Sequence, residues 1–404
     1  MRKIVPVGEL KLGMYVAELD RPWTDTPFKF QGFVLEHPEQ IEILQQHCKL
    51  VFVDPDRSEV LAKLPDSTLL RSAVDLSRTK VAKYTEQAPI EKEFATAVRQ
   101  HAAGVAALNE AVLAPLSAGE TLDARRVNEA VSGLTESVLR NPDAMLLFTQ
   151  LKAKGDYTRS HALDSSVYLA VFGRFLEMSP EDIALLGHLG LLQDVAKVRV
   201  PTALLEKRER LTGEELAELR KHVEHSADIL RETAHLPNGL AELALLHHER
   251  HDGSGYPRKL NGKEIGLIGS IAGIVDTFAA LTTRRPYAEA LAPSRALSIL
   301  YKHRSTLLDG YLVEQFIRCI GIFPLGSVVE LNNGETGIVI AQNVAKRLQP
   351  RIMVVRDAAG NELKPQKLID LSREPKTASG EPYRIRRTLE YGRVPVQAET
   401  LFSA

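Results

Sequence analysis

Cysteine is almost absent from this chain of 404 residues: Cys48 and Cys319 are the only two. Their spacing excludes a disulfide framework and a cysteine-based zinc site, and a reduced cytoplasmic setting is the expectation. Charge of one sign is equally scarce. The 51 basic and 52 acidic side chains leave a formal net charge of -1, so nothing in the electrostatics calls for nucleic acid as the main partner. The N-terminus, from Met1 to Glu9, has basic residues but no apolar run of signal-peptide length, and no stretch reads as a membrane span. Internal repeats and low-complexity tracts are missing too, which excludes a solenoid. Histidine is the exception. There are 12, several of them between His222 and His251.

The remaining composition, 44% hydrophobic and 25% charged, is that of a globular protein with room for two or three domains. Residues 1–75 read as a small β-rich domain. Short β-prone runs cover Lys3 to Val7, Met14 to Leu19, Phe28 to Leu35 and Leu50 to Val53, with a helix near Glu39 to His47. Residues 76–150 read as an Ala-rich helical connector, with apolar residues at three- and four-residue steps through Phe94, Val98, Val105, Leu108 and Val112. Such a face packs on a neighbour or on a second copy of the chain, a homodimer.

Residues 151–325 read as an all-α bundle. Ser179 before Pro180 is a helix start, and Thr212 with Glu215 is a capping box. Leu216, Leu219, Val223, Ala227 and Leu230 follow as one apolar stripe. The helix from Pro180 to Ala196 is apolar nearly all round and is expected at the centre. Residues 326–375 read as a small β appendix, with Asn333-Gly334 in a hairpin turn. A polar, poorly ordered tail is expected over 376–404.

The chemistry lies in polar residues on apolar faces. Asp194 ends the most buried helix, Asp276 sits in an isoleucine- and alanine-rich run, and His247-His248 close the run from Leu240 to Leu246. One buried carboxylate is often a satisfied core residue. Two of them with adjacent histidines point to a shared metal site that neutralises them. Gly253 and Gly255 follow at once and let the backbone turn beside a ligand.

His247-His248-Glu249 followed by Asp252-Gly253-Ser254-Gly255-Tyr256-Pro257 resembles the signature of HD-GYP domains. The likeness runs over about residues 150 to 325 through Tyr157 to His161, Asp194 to Lys197, Arg220 to His222, Asp276 to Thr282 and Arg285-Pro286-Tyr287. Gly13 to Val16 and Leu19 to Trp23 resemble the small domain of unknown function often found ahead of such domains. The resemblance implies an HD-type bundle that hydrolyses cyclic di-GMP with divalent transition metals, iron or manganese. Carried over by position, His161, Asp194 and Asp276 hold one metal, with Asp194 bridging to a second held by His222, His247 and His248. A hydroxide activated by the metals would attack phosphorus. Lys197 would neutralise a phosphate oxygen. Gly253, Gly255, Tyr256, Pro257 and Arg285 would shape the nucleotide pocket.

The sequence departs from the pattern where Gln193-Asp194 stands in place of the name-giving His-Asp pair, and where Ala196 replaces a glycine. A neutral amide is a poorer ligand than imidazole for iron or manganese. Tyr157 stands where members with a third metal carry Glu, so two metals, or only one, are expected. The resemblance therefore leaves open an active phosphodiesterase, a degenerate cyclic di-GMP receptor or scaffold that signals to a partner such as a diguanylate cyclase, and a phosphohydrolase of another nucleotide. Of the other candidates, His188 and His235 read as structural or exposed, His251 as pocket rim, Asp309 as structural, and Glu249 as a residue that orients a histidine. Arg384, Arg386 and Arg387 read as a solvated basic face.

Overall fold

The computed structural model describes residues 3–19, 33–35, 38–54, 84–152, 157–284, 288–304, 306–343, 346, 348–389 and 402. The chain forms two compact units, Met1–Arg71 and Ser72–Ala404.

In the first unit, strands β1 (Lys3–Pro6), β2 (Tyr15–Leu19), β3 (Phe33–Val34), helix α1 (Pro38–His47) and β4 (Leu50–Asp54) build one antiparallel sheet in the order β1-β4-β2-β3. Val16, Leu35, Leu44 and Val51 are fully buried in its core. These elements follow the β-rich reading. Phe28 and Trp23 lie outside the described residues.

The second unit opens with α2 (Ile90–Ala107), which runs through a π turn (Leu108–Leu113) into the short α3 (Ala114–Ser117). Helices α4 (Ala124–Arg140) and α5 (Pro142–Leu151) start where Asp123 and Asn141 accept from backbone amides of their first turns. Next come α6 (Tyr157–Phe175) and α7 (Pro180–Leu192), the latter capped by Ser179 with proline at its first position, as expected. These two helices pack backbone to backbone: a Cβ on Gly190 would lie 2.4 Å from the Ser166 amide. The sequence extended this helix to Ala196. It ends instead at Leu192, and a 3-10 turn over Val195–Arg199 carries the chain on. Asp194 thus sits at the break, off the helical path.

Short α8 (Thr202–Leu205) and α9 (Gly213–Arg220) lead to α10 (His222–Glu232). The Thr212–Glu215 capping box is present. The predicted single stripe is not: the chain turns between α9 and α10, so Val223, Ala227 and Leu230 are buried while Leu216 is 38% exposed.

Helix α11 (Leu240–Ala244) precedes the histidine pair, and α12 (Gly262–Thr282) brings Asp276. By length and a hydropathy of 1.7, α12 would suffice to cross a membrane, contrary to the expectation that no stretch would. Here that apolarity serves burial: Ile268, Ile271, Ile274, Val275 and Phe278 are buried, and the helix is broken at Gly266. Helices α13 (Pro293–His303) and α14 (Gly310–Ile320) close the bundle, α14 capped by Asp309 as its structural reading requires.

A five-stranded antiparallel sheet follows: β5 (Val328–Leu331), β6 (Thr336–Ala341), β7 (Arg351–Arg356), β8 (Glu362–Asp370) and β9 (Ile385–Thr388), in the order β8-β7-β6-β5-β9. The hairpin turns through Asn332–Glu335 as predicted. The expected tail is wrong at its start. β9 pairs with β5 edge to edge, and Arg386 and Arg387 both bond Glu330, at 3.0 and 2.6 Å. These arginines stay exposed, as a solvated face requires, and are also paired across strands.

Candidate metal centre

Three helices and two loops deliver the site. His161 comes from the first turns of α6, Asp194 from the break after α7, His222 from the first residue of α10, His247 and His248 from the turn after α11, and Asp276 from the middle of α12. The structure brings all six together. Side-chain ligand atoms of Asp194, His222, His247 and His248 lie within 4.8 Å of one another, and so do those of His161, Asp194 and Asp276. Asp194 belongs to both sets. All but His248 are buried.

Asp194 Oδ1 faces His222 Nε2 at 3.0 Å and His247 Nε2 at 3.4 Å, while Oδ2 faces His161 Nε2 at 3.3 Å. Asp276 faces His161 Nε2 at 3.1 Å and His248 Nδ1 at 3.5 Å. The rings have a fixed sense. His222 Nδ1 donates to the Leu219 carbonyl at 2.6 Å, and His247 Nδ1 donates to the Ala244 carbonyl at 2.6 Å. A carbonyl only accepts, so each proton is on Nδ1. In the neutral rings both Nε2 atoms then present lone pairs to Asp194 Oδ1, and none of the three atoms has a hydrogen bond. Buried lone pairs converging on a carboxylate oxygen repel one another unless a cation stands among them. The donor set of imidazole nitrogens and carboxylates suits a first-row divalent metal.

Electrostatics keep the ligands in their binding forms. Burial opposes ionisation of Asp194, but the Lys197 ammonium together with the facing His161, His222 and His247 rings outweighs it and holds the carboxyl well below the usual range. Asp276 is likewise pushed up by burial and pulled down further by the facing His248 and His161 rings. Burial lowers His222, and burial with the adjacent His247 lowers His248 more strongly, so these imidazoles stay neutral.

The remaining candidates fall into place around the cluster. Lys197 Nζ is 2.7 Å from Asp194 Oδ2, so here it partners a carboxylate rather than standing off to meet a phosphate. Its turn is held by the buried Ser226, whose hydroxyl accepts from the Ala196 amide at 3.0 Å. Tyr256 stacks on His248 with ring centroids 4.7 Å apart, and the Arg220 guanidinium lies over the Tyr256 ring at 4.7 Å from its centroid. Gly255 has no room for a side chain, since a Cβ would lie 2.4 Å from the Arg250 amide. Gly253 and Pro257 flank the same loop. Arg285 lies outside the described residues.

Glu249 does not orient a histidine. Its carboxylate accepts from the Arg258 and Leu260 amides at 2.7 and 3.0 Å and so pins the Gly-Tyr-Pro loop. His188 is structural, bonded to Asn128 at 2.8 Å. Sequence reasoning missed Ser226 and gave Arg220 no role, since neither a small hydroxyl on a helix nor an arginine beside a ligand signals what loop it will meet.

An HD domain family matches residues 144–312, a domain of unknown function (DUF3391) matches 2–141, and a KOW domain associated with HD domains matches 328–378. The chain is 30% identical over 384 residues to the cyclic di-GMP phosphodiesterase PA4108 of Pseudomonas aeruginosa, covering 93% of this chain and 91% of that protein. It is 33% identical over 172 residues to the 3'3'-cGAMP-specific phosphodiesterase 3 of Vibrio cholerae, covering 43% and 37% of the two chains. Against the cyclic di-GMP phosphodiesterase response regulator RpfG of Xanthomonas campestris, identity is 35% over 145 residues, with 35% and 38% covered. With ligand-bearing helices and both flanking domains matched, the chain belongs to the HD-GYP family, in the group that carries this N-terminal domain of unknown function.

Proposed function

We propose that this chain is a metal-dependent phosphodiesterase whose substrate is cyclic di-GMP. One observation carries the reading: two overlapping ligand sets share Asp194, the arrangement that lets one carboxylate bridge two cations. His161, Asp194 and Asp276 would hold one metal, and His222, His247 and His248, with Asp194 between, the other. Bound there, divalent metals acidify a water and neutralise charge on a phosphodiester. The chain supplies the rest. Asp194 and Asp276, kept ionised, hold the cations, while the Leu219 and Ala244 carbonyls aim two imidazoles. Lys197, now 2.7 Å from Asp194 Oδ2, would be free to neutralise a phosphate oxygen if metal engaged that carboxylate. Tyr256 on His248 forms a wall against which a nucleotide can lie, with Gly253, Gly255 and Pro257 in the same loop; Arg285 is assigned to the pocket by the family motif alone. The relative matching nearly the whole chain is named for this activity, which favours cyclic di-GMP over other nucleotides.

Gln193 supports a second reading, a receptor that binds the nucleotide without cutting it. Its side chain stands where the family has imidazole, is 1% exposed, and has no hydrogen bond at either amide atom. The test is elemental analysis of anaerobically purified protein, with the products of added cyclic di-GMP followed by chromatography. Bound metal with linear or mononucleotide product supports the enzyme. Bound metal and bound nucleotide without product supports the receptor. A chain that holds no metal sinks both.

A further inference from the structure

Two residues that precede the HD domain line the metal pocket. Leu108 and Leu113, the first and last residues of the π turn, bound a cavity of about 10 Å³ whose other walls include His161, Asp194 and Lys197. That volume is room for about one water. Leu108 is buried and Leu113 partly so.

The π turn makes this wall. In an α-helix, residues five apart point about 140° away from each other and cannot share a face. Hydrogen bonding five residues back widens the turn and brings them toward one face. The bonding is present: the Ala114 amide donates to the Asn109 carbonyl. The neighbouring helix ties the turn down. The Ala111 carbonyl accepts from the Asp123 amide at 2.8 Å, and Glu110 pairs with Arg126 of α4 at 2.6 Å. A π turn inside a helix is rare and concentrates at functional sites. This one places two leucines on the Asp194–Lys197 edge of a cluster of charges.

We propose that the π turn is a roof over that edge, so that the helical segment ahead of the HD domain supplies one wall of its pocket and shields the ligands. The inference rests on the metal reading of the cluster. Apolar side chains there exclude water from the ligands and strengthen every charge interaction beneath them.

The roof predicts how fast metal leaves. The full chain is loaded with Mn²⁺, and the rate at which a chelator strips it is measured. Leu113→Ala speeds stripping about tenfold, the order expected when one apolar side chain is removed from a barrier. Val112→Ala, in the same turn and fully buried but not lining the pocket, leaves the rate near that of the unaltered chain. Leu113→Trp adds cover and slows stripping, and it decides the matter if the alanine variant does not fold. Equal rates in the Leu113 and Val112 variants overturn the roof, whether both rise or neither moves. An unaltered chain that takes up no Mn²⁺ removes the metal reading, and the roof falls with it.

Discussion

Asp194 Oδ1 and His222 Nε2 stand 3.0 Å apart with no hydrogen to share, because the ring's proton is committed to the Leu219 carbonyl. The same holds for His247, turned by the Ala244 carbonyl. A fold that buries these lone pairs against a carboxylate carries a repulsion that protein groups alone leave unrelieved. The arrangement is costly without a cation and favourable with one, which ties metal binding to stability.

Asp194→Asn tests this coupling directly. The amide keeps the shape, removes the charge, and offers an N–H to a facing lone pair. Metal affinity should fall by more than the 10–100-fold that even outer partners of a ligand typically cost. The metal-free variant should melt no lower than the metal-free parent. Elemental analysis and thermal unfolding with and without chelator read both quantities. A variant that retains metal, or whose metal-free form is much less stable, would show that the cluster is an internal polar network.

Gln193→His restores an imidazole next to Asp194. If the site with His161 and Asp276 is weak for want of a ligand, metal per chain rises and cyclic di-GMP turnover rises with it. No change in a chain that already hydrolyses would mean the amide suffices, and the receptor reading would fall. Metal content and nucleotide products, measured on the same preparation, separate the outcomes.

The cluster was legible in sequence because its ligands interrupt apolar helical faces. A carboxylate such as Asp276 among isoleucines has no bland explanation once histidines accompany it. What stayed hidden depended on backbone detail. The helix break at Leu192 could not be seen, since Val195 and Ala196 continue the apolar pattern that the 3-10 turn interrupts. The stripe through Leu216 failed because only α10 packs into the core, while α9 leaves Leu216 at the surface. β9 escapes the sequence reading because Arg386 and Arg387 are exposed, and nothing local announces the pairing with Glu330 of β5. Leu108 looked like one more residue on the connector's apolar face, since a π turn shifts exactly the period that such a reading assumes.

Glu249→Gln should loosen the loop that carries Tyr256 while sparing the ligands themselves. The buried carboxylate accepts two backbone amides, and charge-assisted bonds of this kind are worth about 2 kcal/mol. Thermal unfolding should show a loss of that order. Hydrogen exchange at the Arg258 and Leu260 amides should accelerate well beyond the change elsewhere. If exchange at these two amides is unaltered, the carboxylate does not hold the loop.

His101 sets a pH dependence away from the metal centre. Its Nε2 lies 3.0 Å from Lys152 Nζ, and Lys152 also pairs with Asp164. Burial, helped by the Lys152 charge, pushes the imidazole down to about 3. A folded chain therefore keeps His101 neutral in a range where the unfolded chain protonates it. Between the ordinary histidine value of about 6.5 and the folded value, the unfolded state binds the extra proton. The stability from this group is thus complete above that range and declines as pH falls through it, by about 1.4 kcal/mol for each pH unit. His101→Gln keeps an acceptor for Lys152 and cannot take the proton. Its thermal stability should fall less steeply than that of the unaltered chain from pH 6.5 toward pH 4.5. Equal slopes would assign the acid sensitivity to groups other than His101.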